Sequence, residues 1–93
     1  GKYELALEEL APASLIKLAL HMMEGRSLEA NVKLSSEINA APNLKIVADR
    51  RAVLQILLNV LSNAVKFSKA GGQVKIDLLE RENHCLIKIT DDG

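Results

Sequence analysis

The stretch "ILLNVLSNAVKFS", residues 56–68, sets two asparagines and a lysine in a run of aliphatic side chains. Placed on a helix with Asn59 at zero and about 100° per residue, Gln55 falls near −40°, Ser62 near −60°, Asn63 near +40° and Lys66 near −20°. These residues make a single polar stripe. Val53, Leu54, Leu57, Leu58, Leu61, Ala64 and Val65 take most of the remaining circumference, which predicts a helix buried on nearly every side but one. Such a stripe is either the solvated face of an amphipathic helix or a ligand-binding edge. Solvent faces are normally filled by glutamate, lysine, arginine and glutamine, which favour the helix more than asparagine or serine do. An amide oxygen can ligate a hard cation such as Mg²⁺ while the amide nitrogen donates to a phosphate oxygen, and Lys66 adds a positive charge one turn on. That set suits a Mg²⁺-bound polyphosphate, and spacing alone leaves both readings open.

Outward from this helix, Asp49 is placed to cap its start at Arg50 and Gly71-Gly72 to stop it, with Lys66 and Lys69 near the negative end of its dipole. Upstream, Pro12 opens a second helix in which Leu15, Leu18, Ala19, Met22 and Met23 recur at helical spacing; Gly25 is expected to end it, giving residues 12–24. Tyr3, Leu5 and Leu7 alternate with Glu4, Ala6 and Glu8 as in a short strand. "NVKLSSEI" (31–38) and "KIVAD" (45–49) predict two strands in hairpin-like order around the turn "AAPN". "GQVKIDLLE" (72–80) and "HCLIKITDD" (84–92) predict an antiparallel pair around a turn at Arg81 to Asn83. The order β-α-β-β-α-β-β is an α+β pattern, with helices on one face of a mixed sheet.

Composition excludes several classes of function. The 93 residues suffice for one domain, and 48% hydrophobic content supports a modest core. Lys plus Arg and Asp plus Glu both total 12, so no net field draws in nucleic acid or an anionic membrane. Tyr3 and Phe67 are too few for a base-stacking surface. The lone Cys85 has no internal disulfide partner and fits a small buried residue in a strand of a protein from a reducing compartment. No apolar run reaches the roughly 18 residues of a membrane span and the N-terminus lacks the form of a secretory signal, so a cytoplasmic location without membrane contact is expected.

At the other end, "KITDDG" (88–93) delivers two carboxylates and a glycine from a strand. Asp91 shares parity with Ile87 and Ile89, which points it to the covered face, half-buried and in need of a hydrogen-bond donor such as the amino group of a ligand base. The bland alternative is a simple turn. Gly71-Gly72 is followed by a strand rather than a helix, so it reads as a turn and not as a phosphate loop.

"NVLSNAVKFS" at 59–68, preceded by "ADRRAVLQILL" and followed by a glycine turn, a hairpin and "DDG", resembles the N box and first glycine box of sensor histidine kinases. These belong to a superfamily with gyrase-type, chaperone and mismatch-repair ATPases. The likeness runs from the helix at 12 to Gly93. It implies a two-layer α/β sandwich of the Bergerat type, with a mixed, mainly antiparallel sheet. It also implies that residues 1–93 are the front portion of an ATP-binding domain, ending at the first glycine box. By the same resemblance, Asn63 ligates the Mg²⁺ that bridges the ATP phosphates, Asn59 supports metal and phosphates, and Lys66 contacts phosphate. Phe67 packs on adenine, Asp91 accepts its amino group, and Gly93 lets the backbone approach it.

Hydrolysing branches of the superfamily resemble one another in having glutamate where this chain has Asn59, and an amide cannot take a proton from water. The implied reaction is therefore transfer of the phosphoryl group to a histidine on a separate dimerisation domain, and onward to a response regulator. His21 and His84 read as a helix-flank and a strand-start residue, not as that histidine. The isolated chain is expected to be inactive and to self-associate through an uncovered apolar patch. The alternative is a non-catalytic protein-interaction module with a degenerate kinase fold.

Overall fold

The computed structural model describes residues 5–40, 43–82 and 84–91. Its elements run β1 (Leu7–Leu10), α1 (Pro12–Ala30), β2 (Lys33–Asn39), β3 (Ile46–Asp49), α2 (Arg50–Phe67), β4 (Gln73–Arg81) and β5 (His84–Asp91). The predicted order of strands and helices is the observed one. Tyr3 and Asn83, used above to mark a strand and a turn, lie outside the described residues.

α1 begins at Pro12, whose missing N–H costs nothing in a first turn. It does not stop at Gly25 as expected. Met23 and Ser27 on either side of that glycine are buried, and tertiary burial outweighs the roughly 1 kcal/mol by which glycine disfavours a helix. The stop is six residues later, where Asn31 adopts the left-handed conformation at φ 56° and its amide donates to the Leu28 carbonyl at 3.2 Å. The buried Ser27 hydroxyl is satisfied within the helix, donating to the Glu24 carbonyl at 2.9 Å.

α2 starts as expected, with an Asp49 carboxylate oxygen accepting the Ala52 amide at 3.0 Å. It ends at Phe67, short of the glycine pair, because Ser68 is already extended at ψ 151°. Gly71-Gly72 instead forms a turn that docks on the end of α1. Gly71 at φ 87° donates to the Asn31 carbonyl at 2.7 Å, and the Lys33 amide donates to the Gly72 carbonyl at 2.9 Å. This turn sets β2 and β4 side by side at their starts.

The expected hairpin of β2 and β3 is not formed. β2 pairs with β4 in parallel, Lys33 opposite Gln73 and Ile38 opposite Leu78, while β3 pairs antiparallel with β1, Leu7 opposite Asp49. Parallel neighbours need a long crossover, and the segment through β3 and α2 supplies it. The strands thus fall into a two-stranded ribbon, β1-β3, and a three-stranded sheet, β2-β4-β5, whose second pair is antiparallel. Antiparallel pairing dominates, as expected for this α+β fold.

Both helices lie on one face of the three-stranded sheet. Val74, Ile76 and Leu78 of β4 point into that layer and meet Leu15, Ile16 and Ala19 of α1 and Leu57, Leu61 and Val65 of α2 in one core. Burying each of the valine, isoleucine and leucine side chains among them contributes about 1.5–3 kcal/mol. The opposite face is mostly polar apart from the paired Leu79 and Leu86, and on it the Lys75 ammonium bridges Glu37 at 2.6 Å and Asp77 at 3.7 Å. Cys85 is half-buried rather than buried, and burial, helped by the nearby Glu80 charge, pushes its thiol pKa up. No described helix is long and apolar enough to cross a membrane.

Candidate functional site

The asparagines, Lys66 and Phe67 all come to the surface in the C-terminal half of α2. Leu57, Leu61, Ala64 and Val65 bury the opposite side against β4 and α1, and this fixes the rotation of the helix. The stripe is tied down at its edges. Gln55 Nε2 donates to Asn59 Oδ1 at 3.0 Å, and Arg26 Nη1 on α1 donates to Ser62 Oγ at 2.6 Å. With its oxygen engaged, the exposed Asn59 amide keeps its N–H donors, which suit phosphate oxygen. Lys66 Nζ stands 5.4 Å from the centre of the Phe67 ring, a cation–π contact that gathers the charge and the aromatic surface into one place.

α2 is less covered than its sequence suggests. Ile56 is 61% exposed, Val60 43% and Phe67 70%, so an apolar shoulder runs beside the amides. On the wheel these residues fall near +60°, +100° and +80°, a grouping that could have been read from the sequence. Between this shoulder and β5 lies a groove of about 280 Å³, lined by Val53, Ile56, Leu57, Val60, Ile87 and Ile89.

Asp91 lies on the helix-bearing face of β5, as its parity requires. It stands opposite the buried Val74 near the start of β4, and β4 follows α2 after a short turn. Asp91 is therefore at the end of the sheet that adjoins Lys66 and Phe67. It is exposed and not half-buried, because β5 is the edge of the sheet among the described residues. Gly93 lies outside the described residues. His21 is exposed on α1 with Nδ1 3.7 Å from Glu24, and His84 is exposed at the start of β5.

Among the described residues no cluster of His, Cys, Asp and Glu can hold a metal ion. On the stripe, the exposed Asn63 amide offers an oxygen to a cation. One amide fits Mg²⁺, which keeps most of its shell as water and phosphate oxygen.

An α+β layer with an amide-bearing helix beside an aspartate-tipped strand defines a class. Residues 48–93 match the family described as histidine kinase-, DNA gyrase B-, and HSP90-like ATPase, and the chain belongs to that family. Among curated proteins, an uncharacterized sensor-like histidine kinase of Rhizobium meliloti is 36% identical over 93 residues, covering 100% of this chain and 18% of that protein. The adaptive-response sensory kinase SasA of Prochlorococcus marinus is 36% identical over 76 residues, 81% of this chain and 20% of its own length. The chain thus spans about a fifth of these relatives. The catalytic domain of histidine kinase ThkA superposes with a TM-score of 0.89 at 21% identity, covering 96% of this chain and 60% of that one, and so shares the fold.

Proposed function

We propose that this chain is the nucleotide-holding part of a bacterial, cytoplasmic or membrane-anchored sensor histidine kinase, with residues 1–93 forming part of its ATP-binding domain. The observation that carries the reading is the grouping of Asn59, Asn63 and Lys66 along one exposed edge of α2, with Asp91 brought to the same end of the molecule. Asn63 holds Mg²⁺ through its amide oxygen, and Asn59 and Lys66 engage the phosphates. Phe67 and the apolar shoulder take the adenine face, Asp91 accepts from its amino group, and Gly93 leaves room for the base. The metal, when bound, neutralises phosphate charge and makes the terminal phosphorus easier to attack. With no carboxylate base at position 59, the site holds ATP for a histidine on the dimerisation domain rather than for water.

The phosphoryl group then passes to a response regulator. ThkA has been crystallised with such a protein, TrrA, which supports a partner of that class here. The exposed apolar groove beside α2 also favours self-association of the isolated chain, which light scattering at high concentration tests.

The deciding experiment is on the kinase that carries this domain. Asn63→Ala should abolish Mg²⁺-dependent ATP binding and phosphohistidine formation while leaving the melting temperature of the ligand-free protein unchanged, since the residue is exposed. Retained Mg²⁺-ATP binding in that variant overturns the reading.

A further inference from the structure

We propose that Arg26 on α1 receives the terminal phosphate of the nucleotide and so distinguishes the triphosphate from the diphosphate. The inference rests on the nucleotide reading above and adds a residue from a different helix.

The exposed surface around α2 is chemically graded. On the β5 side lies the apolar shoulder of Ile56, Val60 and Phe67, with Asp91 at the adjoining end of the sheet. The amides of Asn63 and Asn59 come next around the helix, then Lys66, and on the far side Ser62, which Arg26 touches. A nucleotide is graded in the same sense, with a flat and largely apolar base at one end and the highest charge density at the other. Matching the two gradients turns the base toward β5 and the last phosphate toward α1.

Arg26 stands at that end. It lines two adjoining grooves between the helices, one of about 250 Å³ shared with Asn59 and Ser62, the other of about 390 Å³ shared with Glu29, Ser62 and Lys66. The second groove therefore carries two cations against the single Glu29 carboxylate. The groove is left with one net positive charge, which favours an anion bound between the two side chains. A guanidinium has five N–H donors in a planar fork, and the Ser62 hydroxyl engages Nη1 at 2.6 Å, leaving the rest of the fork for a phosphate. A mere tie between α1 and α2 needs one hydrogen bond. It does not need a second cation on the groove that holds Lys66.

The test is calorimetric titration of the intact kinase with Mg²⁺-ATP, Mg²⁺-ADP and adenosine. Arg26→Ala is expected to weaken ATP about tenfold, the worth of one charge-assisted phosphate contact, to weaken ADP less than about threefold, and to leave adenosine unchanged. Arg26→Lys should restore most of the ATP preference. Ser62→Ala, which breaks the interhelical hydrogen bond and keeps the charge, should leave the ATP to ADP ratio as in the native kinase. If Arg26→Ala lowers ATP and ADP affinity equally, or Ser62→Ala reproduces its effect, Arg26 is only a tie and the inference fails. Asn63→Ala separates this from failure of the nucleotide reading: loss of ATP binding there, with an unchanged ratio in Arg26→Ala, removes only the role of Arg26.

Discussion

The Asp49 carboxylate joins Ala6 to the start of α2, across 43 positions of sequence. Oδ2 accepts the Ala6 amide at 2.8 Å while Oδ1 accepts the Ala52 amide at 3.0 Å, and alongside them Arg50 Nε reaches Glu8 at 3.5 Å. One side chain thus serves as a helix cap and as a clasp on the segment leading into β1. Asp49→Ala loses both bonds. Asp49→Asn keeps one carbonyl-type acceptor but turns an N–H toward the other amide. Melting temperatures followed by circular dichroism should fall in the order native, Asn, Ala, with Ala several degrees below native. An Asn variant as stable as the native chain would mean that only the cap matters.

The same carboxylate makes stability depend on pH in a definite direction. The Ala52 and Ala6 amides hold Asp49 below the ordinary carboxylate range, and the Lys75 hydrogen bond and charge do the same for Glu37. A folded pKa below the unfolded one means that the unfolded chain binds the proton more readily. The stabilisation is therefore complete above the unfolded values, about 3.9 and 4.3, and is lost as pH falls through the lower folded ones. Lys75 behaves oppositely. Its pKa is raised, first by the Glu37 hydrogen bond, so its contribution is present below about 10.4 and disappears as pH rises through the higher folded value. Melting curves should show acid destabilisation that is blunted in Asp49→Asn and Glu37→Gln, and an alkaline loss that is absent in Lys75→Met.

Two glycines should respond to alanine with opposite signs. Gly25 lies inside α1 with nothing within 4 Å of the place a Cβ would take, so Gly25→Ala should stabilise by about 0.5–1 kcal/mol. Gly71 has equally open space but a φ of 87°, where a side chain strains the backbone, and Gly71→Ala should cost about 1–2 kcal/mol. Urea denaturation of both variants checks the pair, and a stabilised Gly71→Ala would show that the turn can change its conformation.

What the sequence discloses follows from the range of the forces involved. The Asp49 cap, the alternation of β4 and β5 and the stripe on α2 are local patterns of side-chain type, and all three are legible. The end of α1 is not, because Gly25 is a stop only when nothing is buried beyond it, and Ser27 is. The partner of β2 is hidden for a related reason. Nothing in "NVKLSSEI" distinguishes a hairpin with β3 from parallel pairing with β4, which depends on α2 crossing over and on Gly72 meeting Lys33. The helical wheel shows which residues of α2 share a face but not which faces are covered, so the exposure of Ile56 and Val60 and the approach of Arg26 to Ser62 emerge only in three dimensions.

Asn59 tests the chemistry most directly. Its oxygen is held by Gln55 and the residue is exposed, so its N–H groups can orient phosphate or water, and an amide cannot take a proton. Asn59→Glu places a carboxylate where water could approach the terminal phosphate, with Gln55 still able to donate to it. A general base contributes about 10²–10⁴ when well placed. Even an imperfectly placed one should raise phosphate release relative to phosphohistidine by about tenfold in a single turnover with γ-labelled ATP. Asn59→Asp, with a shorter reach, should move the partition less. If the glutamate variant binds ATP and its partition stays that of the native kinase, the amide at 59 is not what keeps water from the phosphoryl group.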